Sequence, residues 1–224
     1  MSPPINLDIR LSSKKGQPAT RRGILSVVSS VYDPLGFLAP FIFVAKVLLQ
    51  HLCRSKLGWG DQIPEDALQR WKNWLAMPPK LEELLIDRCL IPKDFGEIAS
   101  TQMHHFSDAS RQGYGAVRYL RIINEKGDAH CSFLVGKSRL APLKAITIPR
   151  TELSAAVVAT RLDKMMRQAL DMTIDESTFW TDSTCVLSYI QNENRRFCRL
   201  LSRTEYRRST THPKSRNGGT SIQR

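Results

Sequence analysis

The chain has 224 residues, of which 42% are hydrophobic, so it can bury one core or two smaller ones and is not a disordered chain. Its formal net charge is +12, and residues 195–224 hold nine basic side chains against one acid, Glu205, which leaves an excess of four for the rest of the chain. This balance favours a polyanionic partner such as nucleic acid, although a solvated basic surface would give the same count.

The cysteines and the apolar stretches indicate in which cellular compartment the protein is expected. The five cysteines are an odd number and show neither a Cys-x-x-Cys pair nor a zinc-type arrangement with histidines, which favours reduced thiols. The first six residues do not look like a secretory signal. The most apolar stretch, residues 35–44, is shorter than the roughly 20 residues that a membrane span needs. We therefore expect an intracellular protein, cytoplasmic or nuclear, that is not secreted and has no membrane partner.

The first part of the chain is predicted to be helical. Residues 1–23 are polar and basic and are expected to form a disordered linker. An apolar stretch then ends at the Asp33-Pro-Leu-Gly sequence, and Pro40 opens a run with helical spacing, which predicts two helices joined by a tight turn. Pro64 and the two acids after it suit the start of a third helix. Residues 24–92 are thus predicted to form a small helical unit.

From residue 102 the apolar period changes to that of strands. Three consecutive antiparallel strands are predicted, at residues 103–106, 114–123 and 129–135. A helix, a strand and a second helix follow, at residues 149–170, 176–181 and 183–191. Periodicity disappears after Asn194. Residues 98–194 are therefore predicted to be an α/β domain without its last strand and helix, and residues 195–224 a basic tail that is disordered or frame-shifted.

Three acids stand at the ends of these elements. Asp108 follows the first strand, Glu152 is assigned to the first turn of the long helix, and Asp182 lies at a strand-to-helix junction. Singly, each has a structural explanation as a turn residue, a partner of the helix dipole or a helix cap. Together they indicate a site, because open α/β sheets collect functional groups at strand ends and two of these acids are expected to end strands that lie side by side.

A cluster of carboxylates repels itself unless cations neutralise it, and oxygen ligands favour Mg²⁺ or Mn²⁺. Two such ions about 4 Å apart stabilise the attacking and leaving oxygens of a phosphodiester displacement. The acids therefore predict a two-metal nuclease site.

The segments around these acids resemble the first three acidic motifs of ribonuclease H. They are His105-Phe-Ser-Asp108-Ala-Ser with Gly113-Tyr-Gly-Ala-Val117, Ile148-Pro-Arg-Thr-Glu152-Leu-Ser-Ala-Ala156, and Trp180-Thr-Asp182-Ser. Two flanking segments resemble the BEL/Pao class of long-terminal-repeat retrotransposons, namely Arg22-Gly-Ile-Leu-Ser-Val-Val-Ser-Ser-Val-Tyr-Asp-Pro-Leu-Gly36 and Lys137-Ser-Arg-Leu-Ala-Pro142. The resemblance covers about residues 20–197 and is to a Pol polyprotein fragment.

The resemblance implies the end of a reverse transcriptase, thumb- or connection-like at residues 24–92, joined to a ribonuclease H-like mixed sheet with helices. It implies Asp108 as the ligand bridging two Mg²⁺ or Mn²⁺ ions, with Glu152 and Asp182 on the second metal's side. The implied reaction is endonucleolytic hydrolysis of the RNA strand of an RNA–DNA hybrid, and the implied partners are that hybrid and the rest of the Pol polyprotein. Weaker contacts to the nucleic-acid backbone are implied for Ser107, Ser110 and Thr184. No polymerase activity is expected, because the catalytic aspartates of the polymerase are not in this chain.

The chain departs from that pattern at its end. The family's fourth acid lies several tens of residues beyond the third, whereas no aspartate follows Asp182 here, and Glu193 and Glu205 come too early. We therefore expect impaired hydrolysis; the alternative is a catalytically dead remnant with at most weak nucleic-acid binding. The codons of Asn217 to Thr220, read one base earlier, can spell the family-like Trp-Arg-Tyr, which suggests a frameshift that sequencing of the locus would test.

Overall fold

The computed structural model describes residues 5–6, 16–77, 81, 85–86, 89–144, 146–191 and 219–223. The chain divides into two compact units, Met1–Cys89 and Leu90–Arg224. Within the described residues, no helix combines the length and the apolar character that crossing a membrane would require.

In the part that the structure describes, the first unit contains three helices and one short strand pair. The helices are α1 (Arg21–Val28), α2 (Ala39–Arg54) and α3 (Glu65–Leu75), and the antiparallel strands are β1 (Ile5–Asn6) and β2 (Leu85–Ile86). The helix α1 begins earlier than residue 24 because the Thr20 hydroxyl caps it, accepting a hydrogen bond from the Gly23 backbone N–H at 3.1 Å. The predicted helical unit therefore starts inside the stretch expected to be a linker.

The turn between α1 and α2 is held by one carboxylate. Asp33 accepts hydrogen bonds from the backbone N–H groups of Gly36, at 2.9 Å, and Leu38, at 2.8 Å. Gly36 has a φ of 81°, a conformation that favours glycine. The Asp-Pro-Leu-Gly sequence thus forms the tight turn that its residue types predict.

Aromatic stacking builds the core of the first unit. The rings of Phe41 and Trp74 stack at 4.3 Å, and those of Trp71 and Trp74 at 4.9 Å. The Trp74 indole N–H donates to the Phe41 carbonyl at 2.9 Å, so the one polar atom of this ring is satisfied. The tryptophans of α3 are core residues, as their helical spacing predicts.

The second unit is a five-stranded mixed sheet in the order β5-β4-β3-β6-β7. Its strands are β3 (Ile98–Ala109), β4 (Gly113–Asn124), β5 (Ala129–Leu140), β6 (Glu176–Trp180) and β7 (Gly219–Gln223). The first three are consecutive and antiparallel, as predicted, while β6 and β7 each join in parallel. The first three strands are each longer than the apolar runs from which they were predicted.

Among the described residues, two helices accompany this sheet, α4 (Ile148–Ala169) and α5 (Thr184–Gln191). The buried face of the sheet packs on α4, and its core includes Met103, Leu120 and Ile122 from the strands together with Val158 and Leu162 from the helix. In β3 the odd-numbered side chains are on this face, because successive residues of a strand alternate.

The strand β7 corrects the expectation that the last strand is absent after Asn194. Residues 219–223 pair in parallel with β6, with Glu176 opposite Gly219 and Trp180 opposite Gln223. The short Thr-Ser-Ile-Gln run was too brief to give a periodic signal, whereas the open edge of β6 offers it a full set of backbone partners. The rest of the predicted basic tail, residues 195–218 and 224, lies outside the described residues.

Candidate active site

The register of the sheet places two of the predicted acids at the same end of the sheet. β3 and β6 run in parallel, and the last matched pair of residues is Phe106 with Trp180. Asp108 and Asp182 each stand two residues beyond that pair, so they lie at the same height, with Asp108 still inside β3 and Asp182 after the end of β6. Both side chains are exposed. The two strands are neighbours, as expected, but the expectation that Asp108 follows its strand was wrong, because its pairing with Gly115 extends β3 to Ala109.

The third acid reaches the same region through a hydrogen bond. The Ser183 hydroxyl donates to Oε2 of Glu152 at 2.6 Å, which ties the residue after Asp182 to α4. Because α4 begins at Ile148, Glu152 lies beyond the first turn, which contains no acid. Its assignment to the first turn was wrong, since proline at the second helical position allowed the helix to start earlier. Glu152 is therefore placed by Ser183 and not by the helix dipole.

Ser183 also caps α5. Its hydroxyl oxygen accepts a hydrogen bond from the Val186 backbone N–H at 3.1 Å, and its own backbone N–H donates to the Thr181 hydroxyl at 3.2 Å. Capping was one structural explanation for Asp182, and this geometry assigns the cap to Ser183 instead. Sequence reasoning missed Ser183, although a serine just before an apolar helical run is a strong cap signal.

The side chain of Asp108 lies on the opposite face of β3 from the buried side chains of that strand. It follows Phe106 in the strand alternation, on the side away from α4, and its Oδ1 accepts a hydrogen bond from the Ala109 N–H at 2.6 Å. Among the described residues, no three His, Cys, Asp or Glu side chains are grouped so that they could hold a metal ion. The structure thus brings the three acids to one end of the sheet without joining them into such a group.

The three polar residues predicted to contact nucleic acid have different surroundings. Ser110 holds the β3–β4 turn, since its hydroxyl oxygen accepts from the backbone N–H groups of Gln112, at 3.2 Å, and Gly113, at 3.3 Å. Ser107 is half-buried within β3, and Thr184 is exposed at the first position of α5. Their predicted contacts with a nucleic-acid backbone stay predictions.

A polar network lies beneath the site, between the sheet and α4. Arg118 of β4 donates from Nε to Nδ1 of His105 and from Nη2 to the carbonyl oxygen of Ala159. The His105 Nε2 atom lies 3.0 Å from Oδ1 of Asp163, which also accepts from the Ser177 hydroxyl at 3.0 Å. These side chains connect β3, β4 and β6 to the middle of α4.

Burial sets the ionisation of this network. Burial lowers the pKa of His105 to about 4, although its hydrogen bond with Asp163 acts in the opposite direction. Burial would raise the pKa of Asp163, but the hydrogen bond with His105 and the charge of Arg167 bring it below the ordinary value. At neutral pH His105 is therefore neutral, and its Nδ1 accepts from Arg118 while Nε2 carries the proton.

Aromatic side chains run across the opposite face of the sheet. Phe106 stacks on Trp180 with ring centroids 5.9 Å apart, and Tyr119 meets Phe106 at 6.1 Å and Phe133 at 5.8 Å, both edge-on. Phe106 is 41% exposed and Tyr119 is 36% exposed. This aromatic row runs from β6 to β5 and passes beside Asp108. It therefore borders the candidate site.

The mixed sheet and its helices make the second unit a ribonuclease H-like α/β domain. The family described as Pao retrotransposon-like RNaseH-like domain matches residues 20–183, and the chain belongs to that family. The resemblance to a BEL/Pao-type retrotransposon Pol fragment, and the predicted ribonuclease H-like α/β fold, are thereby confirmed. No curated protein matches the chain significantly.

Solved ribonuclease H structures resemble the chain at low identity. RNase H1 from the halophilic archaeon Halobacterium salinarum NRC-1 is 17% identical, with 55% of this chain and 83% of that chain covered and a TM-score of 0.33. LC11-RNase H1 in complex with an RNA/DNA hybrid is 20% identical, with 41% and 61% covered and a TM-score of 0.23. LC11-RNase H1 isolated from compost by a metagenomic approach is 21% identical, with 42% and 61% covered and a TM-score of 0.24. The chain thus matches about three fifths of the LC11 chains.

Proposed function

We propose that this chain is the ribonuclease H-like module of a retrotransposon Pol polyprotein and that it binds RNA–DNA hybrids at the edge where β3 and β6 end. We further propose that this 224-residue chain on its own hydrolyses the RNA strand poorly. The observation that carries the proposal is the shared height of Asp108 and Asp182 beyond the Phe106–Trp180 pair, with Glu152 joined to the same region by Ser183.

Family membership and charge support a nucleic-acid partner. The family match includes all three acidic segments, from Asp108 to Asp182. The chain carries 33 Lys and Arg against 21 Asp and Glu, a balance that attracts phosphates. A hybrid approaching the strand ends would meet exposed carboxylates in a basic protein, which is the arrangement expected where divalent cations and phosphates meet.

The carboxylates do not fit the implied divalent ions as they stand. The described residues contain no group of three acids or histidines that could hold a metal, and one oxygen of Glu152 already accepts a hydrogen bond from Ser183. No aspartate follows Asp182 in this chain. In this chain these residues therefore fix the arrangement of the site: Ser183 holds Glu152, and Asp108 and Asp182 face solvent.

The test measures binding and cleavage of one labelled RNA–DNA hybrid by the full chain, with and without Mg²⁺ or Mn²⁺. Without metal, Asp108→Asn combined with Asp182→Asn should tighten binding about two- to threefold, because two charges that repel phosphate are removed. The control matched in charge is Asp171→Asn combined with Glu125→Gln, two exposed acids away from the candidate site, which should leave binding unchanged. With metal, cleavage should be slow.

Three outcomes would contradict parts of this proposal. Equal effects of the control and the double variant would place the hybrid elsewhere. Rapid metal-dependent cleavage that Asp108→Asn abolishes would show that hydrolysis is intact. Failure to bind the hybrid at about 0.1 M salt would favour the alternative, a catalytically dead remnant, since phosphate contacts alone should give measurable affinity there.

A further inference from the structure

A cleft of about 510 Å³ runs along one side of α4 in the second unit. Its walls come from four elements: the start of β4 with Tyr114, the end of β5 with Arg139, the α4 residues Arg150 and Arg161, and α5 with Tyr189. The cleft is concave and elongated, unlike the surface of an isolated basic helix.

The charge of the cleft has a single sign. Three of its lining residues are arginines, and no acid among the described residues lines it. Three arginines around one concavity give it a positive potential, which attracts an anion. The planar fork of arginine matches phosphate oxygens in a bidentate manner, so phosphate is the anion that this lining suits.

The spacing of the arginines points to a chain of phosphates and not to a single one. Arg150 and Arg161 are eleven residues apart on one helix, which is about 16 Å along its axis. Phosphates follow each other every few ångströms along a nucleic-acid strand, so this length spans more than one phosphate. The cleft's volume is far too small for a duplex, which leaves room for one backbone at its edge.

The position of the cleft links it to the candidate site. It begins at the N-terminal end of α4, where Arg150 stands two residues before Glu152. Two residues correspond to a rotation of about 200° around a helix, so Arg150 and Glu152 lie on different sides of the same turn. A strand bound by Arg150 would therefore pass the N-terminal end of α4, the end at which Glu152 accepts from Ser183.

We propose that the cleft formed by Arg139, Arg150 and Arg161 binds the phosphate backbone of one strand of the nucleic acid and sets its position relative to the strand ends of β3 and β6. This inference rests on the proposed function for its partner and adds a second contact surface to it. Both Arg139 and Arg150 are exposed, so their role can be tested without disturbing the core.

The experiment compares the full chain with the double variant Arg139→Gln, Arg150→Gln in fluorescence anisotropy titrations. The probes are a fluorescein-labelled RNA–DNA hybrid and a labelled single-stranded oligonucleotide, each at 50 to 200 mM NaCl. The matched control is Lys93→Gln, Lys126→Gln, which removes the same charge from exposed positions outside the cleft. Equal urea midpoints would establish that all three proteins are equally folded.

We expect the arginine variant to raise the Kd for the hybrid about tenfold at about 0.1 M salt and to reduce the slope of log K against log salt by about 1.4 to 1.8, for two lost phosphate contacts. The lysine control should change neither by a comparable amount. Equal losses in the two double variants would overturn the proposal, because net charge alone would then explain the binding.

The result is separable from the proposed function. The arginine variant could weaken binding while neutralising Asp108 and Asp182 has no effect. The cleft proposal would then be supported, and the proposed position of the hybrid at the strand ends would be refuted. If the aspartate variants tighten binding but the arginine variant behaves like the lysine control, the proposed function stands and the cleft proposal is refuted.

Discussion

The hydroxyl of Ser183 donates to the carboxylate of Glu152 at 2.6 Å, and the same oxygen accepts from the backbone at the start of α5. One side chain therefore both caps a helix and joins it to the acid of another helix. A buried group with two such contacts contributes more than an ordinary surface serine.

Replacing this serine should destabilise the second unit. We expect Ser183→Ala to lower the free energy of unfolding by about 1 to 3 kcal/mol, through loss of the cap and of a charge-assisted hydrogen bond. Thr184→Ala, at the exposed neighbouring position, should cost clearly less. Urea unfolding of the full chain measures both, and equal midpoints for the two variants would refute the double role of Ser183.

The two faces of β3 should respond differently to truncation. Met103 is fully buried against α4, whereas Phe106 is 41% exposed on the aromatic face. Met103→Ala should cost about 2 to 5 kcal/mol because it leaves a cavity in the core. Phe106→Ala should cost less than Met103→Ala but should change the fluorescence of Trp180, on which its ring stacks. A larger loss for Phe106→Ala would mean that the aromatic face is the more important core.

The buried histidine should make stability depend on pH. His105 has a pKa of about 4 in the folded chain, mainly because burial disfavours its charged form, against about 6.5 in an unfolded chain. Between these two values the unfolded chain binds a proton that the folded chain does not. The free energy of unfolding should therefore fall as the pH drops from about 6.5 towards 4, by at most about 3 kcal/mol.

Urea unfolding between pH 7 and 4.5 measures this dependence. Asp163, whose pKa is lowered, contributes in the same direction at still lower pH, because protonation removes its contact with His105. A His105→Gln variant should show a smaller loss over the same range. An identical pH dependence in the variant would assign the effect to other groups.

A glycine at the start of α1 should resist substitution. A Cβ at Gly23 would lie 2.1 Å from the carbonyl oxygen of Pro18, which is backbone and cannot swing away. We expect Gly23→Ala to destabilise the first unit by about 1 to 3 kcal/mol, despite the better helix propensity of alanine. Gly60→Ala is the control, since nothing lies within 4 Å of its Cβ. Thermal unfolding of both variants measures the difference. Equal midpoints would contradict a clash between the new Cβ and the Pro18 carbonyl oxygen.

The order of the elements was predictable because their signals are local. Alternating residues gave the three antiparallel strands, and the turn at Asp33 and the apolar stripe of α3 gave the helical unit. The pairing of β3 with β6 followed from treating Asp108 and Asp182 as strand-end residues, and the structure agrees with it. Family resemblance supplied the fold name that these patterns alone did not.

The remaining features depend on register and packing. The network of His105, Arg118 and Asp163 exists only because two strands pair in one register and α4 crosses them at one position. No local spacing marks these residues as partners. The cap formed by Ser183 had a local signal, but its hydrogen bond to Glu152 did not, because that bond depends on where α4 packs.

The guanidinium of Arg118 locks α4 in one position along its own axis. Moving the helix by a single turn would carry the carbonyl oxygen of Ala159 about 5.4 Å away and would separate Asp163 from His105 at the same time. Glu152 is eleven residues before Asp163, just over three full turns along the same side of the helix. The position of the Glu152 carboxylate therefore depends on contacts in the middle of the core. Replacing the buried Arg118 would move Glu152, although the two side chains are not in contact.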